Sequence, residues 1–230
     1  MTAPSEAEAA PPVLDLSRLE RAVDSLHKEF AAGVPYPHIV FDDFLTPDAL
    51  AGAMAEFPPL EVEKWTTNVH TNERKSSNTD PATWGPTLQR ILEELNSPRF
   101  VEFVGRLTGI DDLIADESLE GGGLHQSTRG GFLNVHADFT VHPRKRTWQR
   151  RVNILVYLNE DWLPEYGGDL ELWGVDMKRC VKKVSPVANR ALIFTTNVGR
   201  ALYDNPNAAG VHQANALFHR STILDALRVE

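Results

Sequence analysis

The spacing of apolar residues changes period near residue 112, and that change limits what this chain can fold into. Upstream, Leu14, Leu16, Leu19, Val23 and Leu26, with Phe30 beyond, recur at near-helical steps between about Leu14 and Ala32, and Gly33 supplies a stop. PYPHIVFDDF follows, in which Ile39, Phe41 and Phe44 suggest a short strand. Three more helix starts share one signature, a capping side chain followed by proline at the first helical position. They are Thr46-Pro47, Asp80-Pro81 and Ser97-Pro98, and the last two lead into WGPTLQRILEELN and RFVEFVGRLTG, each with an apolar stripe.

Downstream the pattern is that of strands. GGFLNVHADF, RRVNILVYLN, GGDLELWG, CVKKVSP, NRALIF and RSTILDALRV are short apolar or alternating runs separated by turn-forming residues. So many short strands at the end of one chain predict an α+β protein, with an antiparallel sandwich or jelly roll and the helices packed on one face. No repeat and no shift of composition divides the interior. The expectation is therefore a solvated tail over 1–12 and one domain over 13–230, helical to about 112 and strand-built from about 113.

Composition excludes several classes. A single cysteine, Cys180, rules out an internal disulfide framework and a cysteine-based zinc cluster. The net charge of −9 disfavours nucleic acid as a global partner. No apolar run approaches the roughly 20 residues needed to cross a bilayer, and MTAPSEAEAAPP has neither the basic nor the apolar part of a secretory signal. The expected setting is the cytoplasm, with no membrane partner.

The chemistry-bearing residues lie in the strand half. In His136-Ala137-Asp138, residues two apart in a strand project to one face, so an imidazole and a carboxylate can meet one ion. A second histidine would complete the two-histidine, one-carboxylate face of non-haem Fe(II) oxygenases, which leaves positions open for a chelating substrate and O2. His212 is the first candidate and His219 the alternative. His219 directly precedes Arg220, and adjacent strand residues face opposite ways, so His212 shares a pocket with Arg220 more readily. A dicarboxylate chelating iron through its 2-oxo acid end would need a fixed cation for its far carboxylate, and the Arg220 fork suits that task. Tyr157 could donate a hydroxyl to the same group.

These motifs and their order resemble the Fe(II)/2-oxoglutarate-dependent dioxygenases of the prolyl-4-hydroxylase-like branch, its bacterial members in particular. HAD at 136–138, VYLNEDW at 156–162, GGDLELW at 167–173, NRALIF at 189–194 and H-x7-R at 212–220 follow the order of that family. PYPHIVFDDFLTPDALAGAMAEFP and GGGLHQSTRGGFLNVHADF extend the likeness to roughly residues 35–230. The resemblance implies a double-stranded β-helix, with iron held by His136, Asp138 and His212. It also implies 2-oxoglutarate bound by Arg220 and Tyr157, with Asn153 lining the cosubstrate pocket. VGRALYDNPNAAG, ahead of His212, does not match the family's usual approach to that ligand.

Two details shape the expected substrate. Many prolyl hydroxylases carry a tyrosine shortly before the first iron histidine, where this chain has Leu133 and Asn134. Related halogenases lack the carboxylate that Asp138 supplies. Hydroxylation or desaturation of an unactivated C–H bond in a small molecule, as in natural-product tailoring, is thus the leading expectation. A peptidyl or prolyl hydroxylase with the same centre and a non-catalytic metal-binding jelly roll are its rivals. His125, His142, Trp148, Trp162 and Trp173 read as structural. The basic run RKRTWQRR at 144–151 reads as a solvated loop or a contact for a small anion, and the glycine runs form no phosphate loop.

Overall fold

The computed structural model describes residues 11–61, 64–136, 138–174, 176–196, 211–216 and 219–229, the last two segments as backbone. The first half contains α1 (Leu16–Ala31), β1 (His38–Phe41), α2 (Pro47–Glu56), β2 (Thr66–His70), β3 (Glu73–Asn78), α3 (Pro86–Leu95) and α4 (Pro98–Thr108). The second contains β4 (Ile114–Ala115), β5 (Gly123–Ser127), β6 (Gly131–His136), β7 (Gln149–Tyr157) and β8 (Leu170–Trp173). It ends with β9 (Cys180–Val184), β10 (Ala191–Thr195), β11 (Val211–Ala216) and β12 (His219–Val229).

The helix signals hold with one exception. Asp15, Thr46 and Ser97 each accept a backbone N–H in the first turn of α1, α2 and α4, and Gly109 ends α4 in the left-handed region at φ 69°. Asp80-Pro81, in contrast, opens only a 3-10 turn over Pro81–Thr83. Pro86 holds the preceding Gly85 extended, so α3 has to start afresh there. Gly85 offers no capping side chain. Glu56, at the end of α2, takes that role, accepting from the backbone N–H of Thr87 at 2.7 Å and from its hydroxyl at 2.8 Å. Leu88, Ile91 and Leu95 of α3 are fully buried, each contributing roughly 1.5–3 kcal/mol relative to exposure.

The strands form one antiparallel sheet in the order β1-β10-β7-β12-β5-β3-β6-β11-β8-β9, with β2 added to β3 and β4 to β12. Side-chain alternation along β7 divides the interior in two. Val152, Ile154 and Val156 join Ala191, Ile193 and Leu124 in a core shared with the helices. Leu155 and Tyr157 face the other way, into a second core with Tyr36, Leu170, Leu172, Val184, Leu192 and Phe194. β8 and β9 stand at one end of the strand order and β1 and β10 at the other. Their shared core shows that the sheet turns back on itself.

The β2–β3 hairpin departs from the expected helical first half. Its strands are polar and β2 is largely exposed, so neither shows an apolar alternation that could be read in advance. Pairing of β3 with β5 and β6 holds it in place. Pro11 and Pro12 are exposed yet tethered. Thr46 Oγ1 donates to the Pro12 carbonyl, and Arg90 donates to that of Pro11.

Candidate metal centre

His136 is the last residue of β6, and its Nδ1 lies 2.8 Å from the carbonyl of Asn134. That contact makes Nδ1 the N–H donor and leaves the Nε2 lone pair free to face a ligand. Nε2 is 3.7 Å from Asp138 Oδ1. Two donors binding one ion at about 2.1 Å must lie within about 4.2 Å of each other, a condition the pair meets. Burial alone would lower the pKa of His136. The nearby Asp138 carboxylate, with the Asn134 carbonyl, outweighs it and raises the value.

Asp138 is braced from behind. Asn153 Nδ2 donates to its Oδ2 at 2.7 Å. Arg150 Nε donates to the Asn153 side-chain oxygen at 2.6 Å, and Arg150 Nη1 stands 3.7 Å from Asp138 Oδ1. Arg150 is only 3% exposed and lies over the Phe139 ring. Burial acts to raise the carboxyl pKa, but Arg150, His136 and Asn153 together hold it well below the usual carboxylate range. A ready ionised carboxylate beside an imidazole of fixed tautomer suits a divalent transition metal.

The remaining predicted residues fall into two groups. The His212 and Arg220 side chains, and that of His219, lie outside the described residues. Their backbone positions differ usefully. β11 runs directly beside β6, with Val211 opposite His136 and residue 212 opposite Glu171 of β8. His219 instead starts β12 and pairs with Ser127 of β5, three strands from β6 in the sheet order. Tyr157 is fully buried in the second core, and burial, with the charge of Asp169, pushes its hydroxyl pKa up. Asn153 lies on the Tyr157 side of β7, its amide engaged on both ends by Asp138 and Arg150.

The residues expected to be structural are mostly so. His142 is fully buried. Its Nδ1 accepts from the backbone N–H groups of Arg144 and Lys145, and its Nε2 faces Asp116 at 3.3 Å. Trp148 packs edge-on against His142, Trp162 against Tyr166, and Trp173 donates to Glu171. His125 and Tyr157 are both backbone partners of residue 222 in β12, so they share a sheet face.

The basic run is divided, with Arg144, Lys145 and Arg146 exposed and Arg150 buried. Arg144 pairs with Glu120, Lys145 lies over Trp148, and Arg150 is committed to Asn153 and Asp138. Of the early residues that could reach the site, Asn72 and Lys75 come near it. The Asn72 carbonyl accepts from the Asn134 backbone, and the charge of Lys75 acts on His136. Trp65 packs on Phe57 and donates to Pro59.

Sequence reasoning missed Arg150. Arg150 was hidden within a run of exposed cations, although its place three residues before Asn153 was a usable signal.

Residues 122–223 match the 2OG-Fe(II) oxygenase superfamily. A prolyl 3,4-dihydroxylase of Ostreococcus tauri is 27% identical over 186 residues, covering 74% of this chain. The chain spans about a third of that relative's length, 34%. Among solved structures, a Pseudomonas putida prolyl-4-hydroxylase aligns with a TM-score of 0.63 at 17% identity, over 91% of this chain and 100% of the other. A prolyl hydroxylase from Trichoplax adhaerens, in complex with a hypoxia inducible factor oxygen degradation domain peptide fragment, gives 0.64 at 16% identity, over 92% and 91%. At such identities the structural likeness establishes the fold.

Proposed function

We propose that this chain, a 2-oxoglutarate- and Fe(II)-dependent oxygenase of the prolyl-4-hydroxylase-like type, hydroxylates a prolyl residue of a peptide or protein. The observation that carries the oxygenase chemistry is the convergence of His136 Nε2 and Asp138 Oδ1 at 3.7 Å, with tautomer and charge already set by Asn134 and Arg150. The peptidyl substrate is supported by the relatives, which are prolyl hydroxylases by name. A feature of this chain supports it too. β2 pairs only with β3 among the described strands, and its hairpin is tied to Asn134 through the carbonyls of Thr71 and Asn72. An exposed strand edge near the metal pair suits an extended peptide.

The small-molecule substrate favoured by the sequence reading has less support. Its argument rested on Leu133 and Asn134 standing where many prolyl hydroxylases carry a tyrosine, a difference that concerns the substrate approach and leaves the metal pair intact.

In this reading His136, Asp138 and His212 hold iron, the last because β11 lies beside β6. Arg220 and Tyr157 hold the far carboxylate of 2-oxoglutarate, and Asn153 lines that end of the pocket while orienting Asp138. The sheet that turns back on itself is a double-stranded β-helix, in one domain over 13–230. Bound iron would supply the oxidising power for an unactivated C–H bond by using O2 as the oxidant and 2-oxoglutarate as the co-reductant, one oxygen atom going to the substrate and the other to succinate, with release of CO2. The chain's own residues do the rest. Asn134 fixes the imidazole tautomer, Arg150 and Asn153 keep Asp138 ionised and oriented, and the second core excludes water around Tyr157. No helix among the described residues is long and apolar enough to cross a membrane.

The test is anaerobic addition of Fe(II) and 2-oxoglutarate, then O2 with a library of proline-containing peptides. The expected result is a weak visible charge-transfer band, then succinate release coupled to a mass gain of one oxygen on a peptide. Succinate formation with small molecules and with no peptide would overturn the prolyl substrate. Absence of both band and succinate in metal-replete protein would overturn the oxygenase reading itself.

A further inference from the structure

Tyr36 stands just ahead of β1, far in sequence from the motifs of the metal pair, and is 2% exposed. Its ring centroid lies 6.4 Å from that of Phe194 in the second core, which also contains Tyr157. Phe194 is the cross-strand partner of Asn153, and Asn153 donates to Asp138. The Tyr36 side chain is thus separated from the metal carboxylate by a short series of contacts.

The Tyr36 hydroxyl oxygen is buried and has no hydrogen-bond partner among the described residues. A closed core gains nothing from such a group, since phenylalanine would fill the same space without stranding a polar atom. Burial, then the fields of Asp138 and Cys180, push its pKa up. At neutral pH it is a neutral O–H with a hydrogen bond to give.

We propose that the Tyr36 hydroxyl is a ligand-binding donor of the oxygenase site, giving its hydrogen bond to an oxygen of bound 2-oxoglutarate. The inference rests on the oxygenase reading above. A diacid with a keto group presents several acceptor oxygens. The second core, enclosed between the two ends of the sheet, is also where the resemblance places its other tyrosine contact, Tyr157. A peptide lying along the exposed β2–β3 hairpin would not reach a side chain so deeply enclosed, which assigns Tyr36 to the cosubstrate.

Tyr36→Phe removes one oxygen and keeps the ring packing on Phe194, so the variant isolates the hydroxyl. 2-Oxoglutarate binding to the Mn(II)-loaded full chain is measured by titration calorimetry, alongside Mn(II) affinity and the melting temperature of the ligand-free protein. The expected result is a Kd for 2-oxoglutarate raised about ten-fold or more, with Mn(II) affinity unchanged and the melting temperature unchanged or higher. Equal 2-oxoglutarate affinity in parent and variant overturns the proposal, as does a marked fall in melting temperature, which would show a partner within the protein. A parent protein that binds Mn(II) but no 2-oxoglutarate overturns the oxygenase reading and this proposal with it.

Discussion

Asn153 is held between opposite partners, its amide nitrogen 2.7 Å from Asp138 Oδ2 and its amide oxygen 2.6 Å from Arg150 Nε. The guanidinium can only donate, so it sets which end of the amide faces Asp138. Oδ2 is then occupied and Oδ1 is left toward His136. Outer partners of this kind typically change metal affinity 10- to 100-fold when removed. Asn153→Ala is expected to weaken Mn(II) binding by roughly that factor, read by paramagnetic resonance titration of the free ion. An unchanged affinity would mean the carboxylate finds its orientation without the amide.

Arg150 carries a second expectation, in stability. It is a buried cation 3.7 Å from Asp138, whose side chain is 16% exposed. Removing one member of a buried pair leaves the other uncompensated, at a cost of about 3 kcal/mol. Arg150→Met, which keeps the apolar length over Phe139, should lose about that much in urea unfolding of metal-free protein. Saturating Mn(II) should narrow the gap between variant and parent, because a dication takes over neutralisation of the carboxylate. A gap that metal leaves untouched would assign the loss to packing on Phe139.

What could be read in advance depended on where the information lies along the chain. β7 was legible because each face of QRRVNILVY is apolar enough to mark a strand buried on both sides. The H-x-D pair was legible because its spacing matches the two-residue period of a strand, and the geometry survives although β6 ends at His136. The β2–β3 hairpin was not, since TTNVH and ERKSSN pair in register without an apolar face. Arg150 was missed for a related reason. Its role comes from Asp138 folding back on Asn153, a product of the tertiary structure. Glu56 capping α3 from the end of α2 is another such contact. No local pattern announces it.

His38 gives a pH dependence that owes nothing to the metal pair. It is 7% exposed, with Nδ1 2.8 Å from the Tyr36 carbonyl. Burial lowers its pKa and the charge of Lys182 adds to this, while the Tyr36 carbonyl opposes them without reversing the shift. In the unfolded chain the imidazole takes up a proton as pH falls through about 6.5, whereas in the folded protein it resists until lower pH. Across that window the unfolded state binds more protons, so stability falls as pH falls. The slope from this single group is at most about 1.4 kcal/mol per pH unit. Glutamine cannot titrate, so His38→Gln should show a shallower loss of stability between pH 7 and 5.5 than the parent, whatever its absolute stability. Comparing the two slopes by urea unfolding removes other titrating groups, including His136, whose raised value acts in the opposite sense. Parallel slopes in parent and variant would show that His38 is protonated equally readily in both states.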